Sequence, residues 1–311
     1  MYMKEQLEIL PGIKSQDKNN RQKIKDEESP QYNIKLSAIE KKELISAIKY
    51  IHKHFKDNPG PDWKNIYKKW NIPFTRSHAK SQMRFFLKNK IKNFGPFQDY
   101  MYFNLKNTSD GHNILFHSFL SSSLNIGILH PSDLLVILNL KIPLNSKEGF
   151  IRQLFWREYQ LYCYRYAGLS TQDNKYGGKK TLNINWYNGT IGILPVDLCI
   201  KKAFETGYLH HIERLMIIGN FMLLYGIKPS AAFKWFMEFS IDSYEWVMYQ
   251  NVLDMVFNVS GGKTMRRIYI SSSNYVLKMS NIERGPWCEK WDDLFHSFVL
   301  KNKISYPYNA K

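Results

Sequence analysis

Between residues 207 and 251, two histidines and an arginine stand at the head of an apolar run, and an aspartate, a glutamate and an asparagine follow on the next turn and short helix. At helical spacing His210 and Arg214 lie four residues apart and His211 and Arg214 three apart, so their side chains can share a face. Behind them Leu215, Met216, Ile217, Ile218, Phe221, Met222, Leu223 and Leu224 leave almost no polar side, which predicts a buried helix. A guanidinium carried into that interior keeps its proton and needs a counter-charge. Asp242, at the chain reversal after the next apolar segment, is its natural partner. Such a pair serves either a site or the fold itself, and spacing leaves both open.

Three other stretches carry chemical potential. Residues 117–129, HSFLSSSLNIGIL, gather serines and a histidine before an apolar segment, where hydroxyls and backbone amides suit a phosphate. A serine-rich cap without a ligand reads the same way. Arg152, Trp156, Arg157 and Tyr159 mix cations with aromatics on one helix, as stacking on flat ligands requires, or as a core edge with snorkelling arginines produces. The loop SGGKTMRRIYISSS offers glycines, Lys263, Arg266, Arg267 and Tyr269 to a nucleic-acid backbone, or merely to solvent.

The elements that position these residues all read as helices. Ser37 and Glu40 form a capping box, and Leu44, Ile48, Ile51 and Phe55 recur at helical spacing behind it, with Lys41, Lys42, Lys49, Lys53 and Lys56 off that stripe. Thr75 caps a helix to about Asn89, which Phe94-Gly95-Pro96-Phe97 ends. A helix at 132–140 follows Pro131, Ser146 caps the next, and residues 168–192 form a loop. Helices resume at Pro195 and Leu209, with Gly207 and Gly226 as stops, and the last runs from Glu289 to Leu300. No alternating strand pattern or repeat is present, so the expectation is all-α. Residues 1–34 are polar and predict a disordered arm.

Forty-four Lys and Arg against 27 Asp and Glu give a net charge of +17, which favours an anionic partner such as nucleic acid. No run of about 18 apolar residues spans a bilayer, and no secretory signal opens the chain. The expectation is an intracellular protein, cytosolic or nuclear, with no membrane partner. Cys163, Cys199 and Cys288 predict free thiols.

Five segments, HSFLSSSLNIGIL, NSKEGFIRQLFWREY, GYLHHIERLMIIGNFMLLYGI, FMEFSIDSYEWV and SSSNYVLKMS, fall in the order of the cryptochrome and DNA photolyase superfamily. The chain most resembles the branch that includes the iron-sulfur bacterial (6-4) photolyases, from about Pro73 to Phe298. The resemblance implies a helical domain at 73–300 that holds FAD, after an arm at 1–34 and a helical linker region at 35–72, and before a tail at 301–311. The family's α/β antenna domain and its pigment are expected to be absent, with a separate polypeptide as a possible source of that domain.

The resemblance places Ser118, Leu120, Ser121 and Ser122 at the flavin phosphates, and Gln153, Arg157, Tyr244 and Asn251 along the flavin. Arg214 and Asp242 become the ion pair beside its ring, and His210 and His211 a histidine pair above it that includes a proton donor. Tyr269 and Trp156 fall near a lesion pocket, and Trp235 and Trp186 in an electron relay. Trp156, Lys263, Arg266 and Arg267 become DNA contacts, with damaged duplex as partner. Of the four thiolates that an iron-sulfur cluster needs, Cys199 and Cys288 match two positions only, and Glu283 and Pro286 replace the middle pair, so no cluster is expected. Met248 and Phe236 also depart from the pattern, replacing an acidic residue and a tyrosine. The implied function is a photolyase-like flavoprotein that binds DNA, with light-driven repair of (6-4) photoproducts as its reaction; a non-catalytic DNA-binding or photoreceptor module is the alternative.

Overall fold

The computed structural model describes residues 15–25, 29–60, 70–103 and 114–304; the expectations for residues 1–14 and for the tail beyond 304 lie outside them. Among the described residues no strand forms, and two isolated parallel bridges, Met101 with Ser280 and Lys180 with Ile227, are the extended pairings. No helix among them is long and apolar enough to cross a membrane. The chain divides into two compact units, one within residues 1–100, 104–156 and 202–208, the other within 101–103, 157–201 and 209–311.

In the first unit, α1 (Ala38–Phe55) opens on the predicted capping box: Ser37 Oγ accepts from the Glu40 N–H, and Glu40 accepts from the Ser37 N–H at 2.8 Å. Only Leu44 of its apolar stripe is buried; Ile51 and Phe55 stay exposed. α2 (Arg76–Asn89) is capped by Thr75, whose Oγ1 accepts from the His78 N–H. The predicted stop at residues 94–97 is instead a second short helix, α3 (Ile91–Phe97), with Pro96 inside it. Pro96 brings no N–H to the Lys92 carbonyl four residues back, and that carbonyl accepts from Ser146 Oγ at 2.9 Å instead.

Residues Ser121–Asn125 form α4, and residues Pro131–Asn139 a 3-10 helix where an ordinary helix was expected. α5 (Leu144–Tyr166) starts ahead of Ser146, so that residue is no cap. Its buried hydroxyl accepts from the Gly95 N–H at 2.9 Å and donates to the Lys92 carbonyl at 2.9 Å. A Cβ on Gly95 would lie 2.6 Å from the Ser146 backbone nitrogen, so α3 and α5 meet backbone to backbone. Phe86, Ile91, Phe94, Leu120, Leu134, Ile137 and Phe150 form the core around this contact.

The polar arm is also corrected where it is described. Ser15 and Gln16 donate to Glu148 at 2.7 and 2.6 Å, Arg152 pairs with Asp17, and the Gln22 N–H donates to the Pro96 carbonyl at 3.0 Å. These residues are placed by directional polar contacts, which low apolar content does not preclude.

The second unit holds α6 (Asn185–Asn188) within the stretch read as a loop, part of α7 (Leu194–Thr206), a helix α8 at 211–225, α9 (Pro229–Phe239), α10 at 245–256, α11 (Ser273–Lys278) and α12 (Pro286–Lys301). Gly226, at φ 82°, ends α8 in the left-handed turn that its lack of Cβ allows. α8 and α10 each carry a widened π segment, Glu213–Gly219 and Tyr249–Val256. They meet at Gly219, where a Cβ would fall 2.6 Å from Val256 Cγ2. Trp186, Phe221, Trp235, Phe236 and Trp291 fill the core.

Candidate functional site

In the second unit Arg214 sits one residue into the π segment of α8, and Asp242 on the turn that follows α9. Arg214 Nη2 donates to Asp242 Oδ1 at 2.8 Å, with side-chain exposures of 13% and 8%, so the predicted pair forms with little water around it. Its Nε donates to the Leu209 carbonyl at 2.6 Å, and its guanidinium carbon lies 5.5 Å from the Phe239 ring centre. Ser240 Oγ also donates to Asp242. Two polar partners and an aromatic face hold one orientation, which a bound charged ring would find already set.

His210 and His211 separate. His210 is buried just ahead of α8, and His211 is exposed at its first turn, because consecutive residues leave a helix in different directions. Glu213, fully buried, accepts from the His210 N–H at 3.1 Å and sits 3.5 Å from His210 Nε2. Sequence reasoning missed Glu213, although its position three residues after His210 was the available signal. Arg157 bonds Glu158 at 2.6 Å and lies 4.9 Å from the Trp246 ring centre. Asn251 accepts from Gln160 Nε2 at 2.9 Å and donates to the Val247 carbonyl, so Gln160 is a further polar neighbour. Tyr244 is 38% exposed, and Tyr269 is half-buried. Trp235 Nε1 donates to the Trp186 carbonyl at 2.8 Å, which joins the two predicted relay residues.

Lys263, Arg266 and Arg267 are exposed. Their loop is anchored by buried Asp254, which accepts from the Ser260 N–H and Oγ, both at 2.9 Å, and from Thr264 Oγ1. Cys163, Cys199 and Cys288 are buried free thiols, and among the described residues no group of three or more His, Cys, Asp or Glu could hold a metal.

The first unit holds the serines. Phe119 has a left-handed φ of 56° and Leu120 a right-handed conformation, φ −98° and ψ −3°, just ahead of α4. Ser118 and Ser121 are half-buried. The hydroxyls of Ser122 and Ser123 are buried without a hydrogen-bond partner among the described residues. Orphaned hydroxyls are costly inside a protein, and an anionic ligand would satisfy them. Gln153 is exposed and Trp156 half-buried in this unit. Buried Lys90 donates to the Leu115 carbonyl at 2.5 Å, and desolvation draws it down to about 8.

His117, beside the serines, faces two carbonyls, Ile114 through Nδ1 and Gln98 through Nε2, both at 3.1 Å. Desolvation nevertheless draws it down to about 4, with Lys202 and Lys90 opposing a further positive charge and the carbonyls favouring one. Since its folded value lies below that of the unfolded chain, the unfolded state takes up the proton first. Stability therefore falls as pH drops from about 6.5 to about 4 and levels off below. Part of the residue still reaches solvent, which reduces the effect to roughly 2 kcal/mol. Denaturation midpoints measured across that window should fall in the natural chain and hold steadier in His117→Asn.

No family model matches the chain. It is 34% identical over 247 residues to the (6-4) photolyase of Agrobacterium fabrum, covering 77% of this chain and 46% of that protein. An uncharacterized protein of Acanthamoeba polyphaga mimivirus is 53% identical over 97 residues, 31% of this chain and 79% of that one. A bacterial class III photolyase crystal structure from Agrobacterium tumefaciens superposes with a TM-score of 0.52 at 17% identity, covering 82% of this chain and 56% of that one, and speaks for the fold. The chain thus spans about half the length of the photolyases it matches. Helical architecture and sequence agree: this chain belongs to the cryptochrome and DNA photolyase family, and its helices are those of that family's helical domain.

Proposed function

We propose that the chain binds FAD and engages DNA, and that repair of (6-4) pyrimidine photoproducts, the reaction in the name of its Agrobacterium relative, is its activity. Bound FAD supplies light-driven one-electron chemistry. The observation that carries this reading is the Arg214–Asp242 pair, a fixed cation in a nearly dry interior with its counter-ion held by a second donor. Arg214 stabilises negative charge on a neighbouring ring, and Asp242 holds the guanidinium in place. In the first unit, Ser122 and Ser123 offer hydroxyl donors that have no acceptor among the described residues, as a phosphate group would require. His210, braced by Glu213, holds a proton at Nε2 in a site closed to bulk water. Lys263, Arg266 and Arg267 suit the phosphates around a damaged base, which is extruded at lower cost than a paired one.

Titration of FAD into the purified chain, followed by visible absorbance, tests the reading. Ser122→Ala combined with Ser123→Ala should leave the flavin-free protein as stable as before, or more stable by up to about 1 kcal/mol, while weakening FAD binding roughly tenfold or more. Equal FAD affinity in both proteins would sink the phosphate role of these serines. A colourless chain that binds DNA with steep salt dependence would mark a DNA-binding module instead.

A further inference from the structure

The two relay tryptophans are both enclosed, Trp235 fully and Trp186 at 2% exposure, so an electron vacancy on Trp186 has no direct route to solvent. Phe236, whose ring centre lies 5.3 Å from that of Trp235, cannot carry it onward, because benzene rings are too hard to oxidise. The ring that reaches outward is Tyr225, half-buried at the end of α8, 6.4 Å from Trp186 between centres. Lys180 Nζ sits 3.4 Å from the centre of the Tyr225 ring. It is fixed there by the backbone, since the Lys180 N–H donates to the Gly226 carbonyl and the Lys228 N–H to the Lys180 carbonyl, at 3.0 and 2.9 Å. At the inner end, Phe239 packs 4.7 Å from Trp235 and underlies Arg214.

We propose that Tyr225 is the outlet of this aromatic path, the terminal electron donor for photoreduction of a flavin bound beside Arg214; the proposal rests on the flavin reading above. Trp235 loses one electron to the light-excited oxidised flavin, Trp186 returns an electron to Trp235, and Tyr225 returns one to Trp186. The phenolic proton leaves to bulk water, so a neutral tyrosyl radical remains, and an external thiol restores the phenol by giving a hydrogen atom. The ammonium of Lys180 opposes a lasting positive charge on the ring, and therefore ties loss of the electron to loss of that proton.

The test is electron paramagnetic resonance of the illuminated, FAD-loaded full chain, prepared with ring-deuterated tyrosine so that tyrosyl and tryptophanyl signals separate. The natural chain should give a tyrosyl signal, Tyr225→Phe should lose it, and Tyr225→Trp should replace it with a tryptophanyl one. Trp186→Phe should abolish both, and Lys180→Met should keep the tyrosyl signal but form it faster. Visible absorbance and thermal unfolding should match across the Tyr225 variants. A coloured chain whose radical survives Tyr225→Phe, or vanishes instead with Trp291→Phe, overturns the outlet while leaving the flavin reading intact. A chain that takes up no flavin removes both together.

Discussion

Arg214→Ala should abolish visible flavin absorbance in the purified chain and lower its unfolding free energy by about 3–5 kcal/mol. Both effects have one origin. The substitution leaves the Asp242 carboxylate, 8% exposed, with Ser240 as a hydroxyl donor and without its guanidinium, and it leaves the Leu209 carbonyl without the Nε donor. An uncompensated buried charge costs more than the ion pair contributes, which is why the loss exceeds that of a surface salt bridge. Asp242→Asn separates the two roles. An amide oxygen can still accept from Arg214, but the guanidinium keeps its charge without a neutralising partner, so stability should fall by a comparable amount while the cation itself stays in place. Bound flavin should then become easier to reduce, a shift that redox titration reads directly. If Arg214→Ala unfolds the chain no sooner and leaves the flavin bound, the pair neither braces the fold nor touches the ring.

The second large effect is expected at Asp254→Ala, with a loss on the order of 3 kcal/mol. Ser260 and Thr264 would lose their shared acceptor, and Ser260 Oγ, which accepts from the Gly262 and Lys263 N–H groups at 3.2 and 3.1 Å, would lose its anchor. The loop that carries Lys263 should become sensitive to protease well below the global unfolding transition. DNA affinity should fall with it, and the dependence of log K on log salt should become shallower by roughly one for each phosphate that is no longer neutralised. Lys263→Gln provides the comparison, since it should reduce that slope by about one without a change in stability. DNA binding that survives a loosened loop would place the nucleic acid elsewhere.

What was legible in the sequence was local or obligatory. The capping box at Ser37 and the Thr75 cap depend on residues three apart, and both form as read. The Arg214–Asp242 pair was legible because a guanidinium in an apolar helix leaves few alternatives. Features decided by distant neighbours were not. Ser146 looked like a cap, but its hydroxyl is committed to Gly95 and Lys92, some fifty residues away, and the helix begins before it. α1 has a regular apolar stripe, yet burial reaches Leu44 and stops short of Ile51 and Phe55. The polar arm looked unable to order itself; Glu148 and Arg152 hold residues 15–17, and further along Tyr32 packs 5.4 Å from Phe85. Glu213 was overlooked because a glutamate on a helix is ordinarily solvated, and only its neighbours on α8 reveal that this one is enclosed.

The widened turns of α8 and α10 bear on how this chain tolerates insertion and deletion. A turn with a surplus residue lengthens a helix without moving its ends, and it keeps a side chain in phase with a distant partner that a regular spiral would miss. Removing one residue from 215–219 would let α8 regularise with both ends in place, whereas removing one from its regular turns at 220–225 would rotate its head by about 100°. Whatever faces Asp242 would then no longer be Arg214, even with every residue type preserved.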